Sequence, residues 1–234
     1  MDSKKVNLRP LIVTIDGPAG AGKSTVSRML ARRLGYRYID TGALYRGIAV
    51  AVQDAGIGAA DDAALTSLCA DIVLDLQSRG DHSRLLLNKR DVTDRLRSPE
   101  ITMLASEVSA RPVVRDFLLA FQRTLGGAKK TVLEGRDMGT VVFPDADVKF
   151  FLQADAGIRA QRRYEELRAK RGKGPSLATV EKDMLTRDGN DRARSVAPLK
   201  PAPDAIIIDS TSMSLAEVIA AMLPHIFARQ ADPA

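Results

Sequence analysis

Apolar residues follow two rhythms along this chain. "LIVTI", Leu11 to Ile15, is a nearly continuous apolar run, the mark of a strand buried on both faces of a parallel sheet. "YRYID", "TVLE", "VKFFL" and "AIIID" repeat that character, starting at Tyr36, Thr131, Val148 and Ala205. Between these runs the apolar positions recur every three or four residues. Val26, Met29, Leu30 and Leu34 mark a helix from Lys23, which Gly35 ends because glycine enters the left-handed C′ conformation without a Cβ clash. "TGALYRGIAVAVQDAG" predicts a second helix ending at Gly56, and "DDAALTSLCADIVLDL" a third from Asp61 to Leu76. "SRLLLNKRDVTDRLR" turns strand-like about a polar corner at Asn88 to Asp91. Ser98 and Pro99 supply the N-cap and first position of a helix through "EITMLASEVSA". Val114, Leu118 and Phe121 put a buried stripe on the next, Val113 to Leu125. A long basic helix is expected from about Ile158 to Lys170, then a break at "RGKGP", a short helix to about Arg187, and a closing helix that Ser214 and Glu217 cap.

Five strands alternating with helices imply an α/β fold, a five-stranded parallel sheet with helices on both faces. Residues 71–97 read as a small antiparallel insertion, too short to stand as a domain of its own. The composition of 234 residues, 45% hydrophobic and 27% charged, fits one globular core. With no Trp, four Tyr and six Phe, a stacking platform for nucleic acid is poorly supported. The single cysteine, Cys69, reads as core filler, and His82 and His225 lack metal-ligand spacing. Residues 1–10 are polar and expected to be flexible, and no run reaches the roughly 18 apolar residues of a membrane span. A cytoplasmic monomer without membrane or obligate protein partners is the expectation. The net charge of +6 is concentrated between Arg159 and Lys173, seven basic residues against two acidic. Such a patch suits an anionic ligand, and a small phosphorylated substrate competes with nucleic acid as the explanation.

The candidate chemistry begins after the first strand. Gly17-Pro18-Ala19-Gly20-Ala21-Gly22-Lys23-Ser24, followed by Thr25, fits G-x-x-x-x-G-K-[ST]. Glycines let backbone N–H groups turn inward around phosphate oxygens, Lys23 adds a mobile cation, and Ser24 can bind Mg²⁺. The helix that starts there adds its positive end. Asp16 either tunes this loop or serves as an ordinary turn carboxylate. The loop predicts binding of ATP and leaves the acceptor open: a metabolite, water, or the partner of a regulatory ATPase. Arg46, Arg115, Arg136, Arg187 and Arg194 lie where strands end or helices begin, so they can converge beyond the carboxyl edge of the sheet and hold a second phosphate. Asp137, beside Arg136, can orient an acceptor. Arg159, Arg162 and Arg163 share a helix face ahead of the "RGKGP" break and make a candidate lid.

"TIDGPAGAGKST", "YIDTGALYR", "EGRDMGTVVFPDADVKFFL" and "RDGNDRARSVAPLKPAPDAIIIDST" together resemble the bacterial cytidylate kinases of the long type, over roughly Leu11 to Ile226. The resemblance implies a P-loop nucleoside monophosphate kinase-like fold that transfers the γ-phosphoryl group of ATP to CMP or dCMP with Mg²⁺, with no role for nucleic acid. It implies that residues 41–112 form a monophosphate-binding part, its insertion closing over the cytidine, and residues 156–190 a lid. By the same resemblance Thr41 and Arg46 contact the monophosphate nucleotide, and Arg115 and Arg136 hold its base or phosphate. Asp137 meets the sugar or base side, Arg187 and Asp191 bind sugar or bridge the phosphates, and Arg194 binds phosphate. Lys23, Arg162 and Arg163 act on the phosphates being transferred. Ser106 joins Arg115 and Asp137 as a candidate reader of the base, and the choice of cytosine comes wholly from the resemblance. Three positions depart from the pattern: Thr41 for serine, Glu134 for aspartate and Gln161 for histidine.

Overall fold

A computed structural model describes residues 9–79, 82–171 and 174–231. Residues 1–8 of the expected flexible start, and Gly172 and Lys173 of the expected break, lie outside them. The chain runs β1 (Ile12–Asp16), α1 (Lys23–Leu34), β2 (Arg37–Asp40), α2 (Thr41–Ala55), α3 (Asp62–Asp71), β3 (Leu74–Arg79), β4 (His82–Leu87), β5 (Arg90–Asp91), α4 (Pro99–Val108), α5 (Pro112–Gly126), β6 (Thr131–Glu134), β7 (Val148–Gln153), α6 (Ala156–Arg171), α7 (Leu177–Ala193), β8 (Ile206–Asp209) and α8 (Leu215–Ala231). The five-stranded sheet has the order β2-β6-β1-β7-β8. Every pairing in it is parallel, with Val13 opposite Val132 on one side and Val148 on the other.

Alternation along the strands feeds two cores. Leu11, Val13 and Ile15 join Val26 and Leu30 of α1 and Val218, Met222 and Ile226 of α8 on one face. Ile39 and Leu133 meet α2, α4, α5 and the antiparallel sheet on the other. Each large apolar side chain buried in this way contributes about 1.5–3 kcal/mol. Cys69 is among the buried residues of the second core. The carboxyl ends of β1, β2 and β6 carry Asp16, Asp40 and Glu134, so the edge opposite the strand starts is where charge collects.

The structure corrects three expectations. The third helix stops at Asp71, not Leu76, because Ile72 turns to extended backbone. Leu74 and Leu76 are then buried while Val73 is 66% exposed. That period of two belongs to β3, where Leu74 faces Leu87 and Leu76 faces Leu85 of β4. β3, β4 and β5 form the small antiparallel sheet. The helix expected to end near Arg187 continues as α7 to Ala193, because its acidic residues Asp188 and Asp191 are buried against distant arginines. The expected loop after β6 contains a π-helical turn, Met138–Val142, closed by the Val142 and Phe143 amides on the carbonyls of Asp137 and Met138. Ser214 and Glu217 make the expected reciprocal cap of α8.

Candidate active site

The turn from β1 into α1 can be built only with glycines at two points. Gly17 and Gly20 have φ of 145° and 72°. A Cβ on Gly17 would sit 2.0 Å from the Leu152 carbonyl oxygen, and one on Gly20 would sit 2.8 Å from that of Arg159. The N-cap, Gly22, has no side chain to satisfy the first amides of α1, which leaves them for an anion. Lys23 is buried and donates from Nζ to the Pro18 carbonyl oxygen at 2.6 Å. Burial, then the nearby Arg136, push its pKa well below the ordinary lysine value, and Glu134 opposes them.

Glu134 is the hub on the floor beside this loop. Ser24 donates to Oε2 at 3.0 Å, Tyr38 donates from its hydroxyl to Oε1, and Thr41 donates to the Glu134 backbone oxygen at 2.7 Å. Burial raises the Glu134 pKa, Asp40 adds to the rise, and Lys23, Tyr38 and Ser24 oppose it. The extra methylene of a glutamate at this position is thus accommodated with a phenol and an alcohol holding its two oxygens.

The opposite wall is arginine-rich. Arg136 donates from Nε to Asp191 Oδ2 at 2.8 Å, and Arg194 donates to Oδ1 of the same carboxylate and to Ser109 Oγ at 2.6 Å. Burial would raise the Asp191 carboxyl, but Arg136, Arg194 and Arg187 together hold it below the usual carboxylate value. Arg187 keeps a buried Nε without a hydrogen-bond partner among the described residues. Burial first, then Arg136, lower its pKa to about 9, so it remains charged at neutral pH. A second anion would relieve this excess of positive charge. Arg46 donates to Asp40 at 2.7 Å, and Arg115 pairs with Asp137 while its guanidinium lies 5.7 Å from the centre of the Tyr45 ring. Burial raises the Asp137 carboxyl despite Arg115 and Arg194. Ser106 sits 3.5 Å from Asp191.

These residues line one cleft of about 960 Å³. Ala19 to Thr25 lie along it with Thr41, Arg46, Ser106, Arg115, Arg136, Asp137, Arg162, Arg163, Arg187, Asp191 and Arg194, while Gly17 and Pro18 do not line it. The lid arginines diverge. Arg162 donates to the Ser210 carbonyl oxygen at 2.7 Å, Arg163 pairs with Glu166 at 2.7 Å, and Arg159 points inward to Asp188. Among the described residues no three or more His, Cys, Asp or Glu side chains converge as a metal site, and no helix is long and apolar enough to cross a membrane.

A family model described as "Cytidylate kinase" matches residues 13–228. The chain belongs to the cytidylate kinase family. It is an enzyme, an ATP-dependent phosphotransferase. This kinase is similar to the curated cytidylate kinase of Geobacter sulfurreducens, 51% identical over 90% of each chain. It is 50% identical to that of Geobacter sp. strain M21, over 91% of each chain. The counterpart from Syntrophotalea carbinolica is 48% identical over 95% of this kinase and 94% of its own length.

Several side chains that build or support the cleft are not among the expected site residues. Asp40 and Glu134 sit at strand ends, where an acidic residue closing an apolar run is the available signal, and Tyr38 reaches Glu134 from within β2. Arg97 stands 4.0 Å from Asp40 and 3.6 Å from Glu166, spanning the mouth of the kinase's cleft, and nothing local in "RLRSPE" points to it. Asp16 resolves toward structure: its two oxygens accept from the Met138 and Gly139 amides at 2.9 and 2.8 Å and hold the π-helical turn. Burial pushes its pKa up to about 6 against those two amides. Because the folded value is raised, the fold binds the extra proton between about pH 4 and 6, and stability falls as pH rises through that window. Asp16→Asn removes this slope. The stability of the parent relative to the variant should therefore drop by about 3 kcal/mol between pH 3 and 7. Urea midpoints at several pH values measure it, and a pH-independent difference would contradict the assignment.

Proposed function

We propose that the cleft seats ATP and CMP or dCMP with their phosphates end to end and passes the γ-phosphoryl group from one to the other, giving ADP and CDP or dCDP. The observation that carries this reading is the shared cleft: the phosphate loop with Lys23 on one wall, and Arg136, Arg187 and Arg194 gathered about Asp191 on the other. Two anion sites facing each other suit transfer between two phosphates, which needs positioning and charge neutralisation more than a covalent nucleophile. The amides from Ala19 to Thr25 hold the donor, Lys23 follows the group in flight, and Arg46, Arg136, Arg187 and Arg194 hold the acceptor's phosphate. Arg115, Asp137 and Ser106 line the base side. Their donors and acceptors suit an exocyclic amine and a ring carbonyl, and a mismatch left buried there would reject other bases.

The donor set also suits Mg²⁺, which takes few protein ligands and keeps water and phosphate oxygens in its shell. The Ser24 hydroxyl and Glu134 carboxylate, 3.0 Å apart beside the loop, would hold it directly or through water. When bound it supplies positive charge to the phosphate oxygens. Residues 156–190 serve as a lid and residues 41–112 as the monophosphate-binding part. Arg162 and Arg163 leave Ser210 and Glu166 for phosphate as the lid shuts, and water is excluded from competing as acceptor.

ADP formation from Mg²⁺-ATP, measured with CMP, dCMP, UMP and AMP offered separately, tests the reading. Turnover with CMP and dCMP at least tenfold above AMP is expected. Equal inactivity with all four, or ATP hydrolysis indifferent to any of them, would overturn it.

A further inference from the structure

We propose that Arg159 and Asp188 are positioning residues that set the shape of the phosphate loop by gripping one residue, Ala19, through the peptide groups on both sides of it. Asp188 Oδ1 accepts from the Ala19 amide at 3.2 Å, and Arg159 Nη1 donates to the Ala19 carbonyl oxygen at 2.8 Å. The two side chains close the ring with each other, Arg159 Nη1 to Asp188 Oδ2 at 2.5 Å. Arg159 Nε also donates to the Ala154 carbonyl oxygen at 3.0 Å, which ties the clamp to the segment after β7. Both residues are buried, 4% and 2% exposed. They come from α6 and α7, so the roots of both lid helices hold the loop at the point where it must turn toward phosphate.

Packing reinforces the grip. Ala19 shares a small apolar cluster with Ala160, Val180 and Met184, separate from the two cores of the sheet. Gly20 has no room for a Cβ because the Arg159 carbonyl oxygen and the Met184 side chain stand over it. Asp188 uses one oxygen on the loop and the other on Arg159, which is more than an ion pair joining two helices requires. An amide aimed inward at phosphate needs its neighbouring peptide fixed, and a loop of small residues cannot fix itself. The clamp does this through charge-assisted hydrogen bonds in a site closed to water.

The inference rests on the loop being the ATP site, so the test begins with ATP binding to the parent protein by calorimetry, without acceptor. Three variants follow: Asp188→Asn, Asp188→Ala and the double variant Arg159→Met/Asp188→Leu. The double variant replaces a buried ion pair by apolar groups of similar size, an exchange proteins often tolerate without loss of stability. If the pair served only to join α6 to α7, the double variant would keep both its melting temperature and its ATP affinity. The clamp predicts a double variant that melts near the parent yet binds ATP at least tenfold more weakly, with faster amide exchange at residues 19–25. CMP affinity measured without ATP should stay within twofold. Asp188→Asn, which keeps an acceptor for Ala19, should fall between parent and double variant, and Asp188→Ala should be at least as impaired as the double variant. ATP affinity unchanged in a folded double variant overturns the clamp. A parent that binds no ATP overturns the function proposed above instead.

Discussion

Lys23→Met should leave a folded protein whose kcat for phosphoryl transfer is lower by about 10²–10³-fold, the scale of losing one preorganised donor to a developing charge. The fold should survive because the cleft disfavours this ammonium. It is buried, its contact is a single carbonyl oxygen, and both burial and Arg136 disfavour its charge. Folding therefore gains nothing from keeping it ionised, and methionine fills similar volume without a cation. Glu134 loses a neighbour that lowers its pKa, so its carboxyl moves further toward the protonated form and keeps Tyr38 and Ser24 as partners. Phosphate changes the balance, since an anion beside Nζ restores the charge where transfer needs it. The expected record is a melting temperature within a few degrees of the parent, binding of CMP unaltered, and kcat reduced far more than acceptor KM. A variant within threefold of the parent's kcat would remove Lys23 from the chemistry.

The sheet and the phosphate loop were legible because their signals are local. Each buried strand is a compact apolar run, and the loop is a contiguous string whose glycines answer to backbone geometry at Gly17 and Gly20. The errors arose where distant partners decide the outcome. "IVLDL" reads equally as the end of a helix or as alternation, and only pairing of Leu74 and Leu76 with β4 chooses the strand. "RDGNDRAR" reads as the end of a short helix near Arg187 followed by a charged segment, yet the helix continues and Asp188 and Asp191 point inward to Arg159 and Arg136, partners 29 and 55 residues away. Hydrophobic periodicity carries no information about a charge whose counter-charge lies elsewhere in the chain. For the same reason the arginines could be named as candidates from their places at element ends, while Arg97, Glu166 and the clamp on Ala19 could not. The Arg159, Arg162 and Arg163 face also divides in three: one side chain holds the loop, one holds Ser210 and one holds Glu166.

Asp191→Ala should destabilise the protein by about 3–5 kcal/mol, the scale of removing one partner from a buried charge pair. For a chain of this size that corresponds to a fall in melting temperature of about 6–20 °C. Asp191 is 1% exposed and accepts from Arg136 and Arg194, while Arg187 lies close enough to help hold its carboxyl ionised. Without it three half-buried guanidinium groups face one another across the cleft. The carboxyl's folded pKa lies below its ordinary value, so its contribution is present above about pH 4 and is lost as pH falls through the folded value. The gap between parent and variant should therefore be widest near neutrality and close in acid. Phosphate or sulfate should raise the variant's melting temperature more than the parent's, because a bound anion supplies the missing counter-charge. Activity should fall with it, since arginines that repel one another no longer hold two oxygens of the acceptor's phosphate in register. Calorimetric melts of both proteins between pH 2 and 7.5, with and without sulfate, measure all of this. Equal melting temperatures at neutral pH would mean that the arginine wall stands without its carboxylate, and the electrostatic account of the acceptor side would fail.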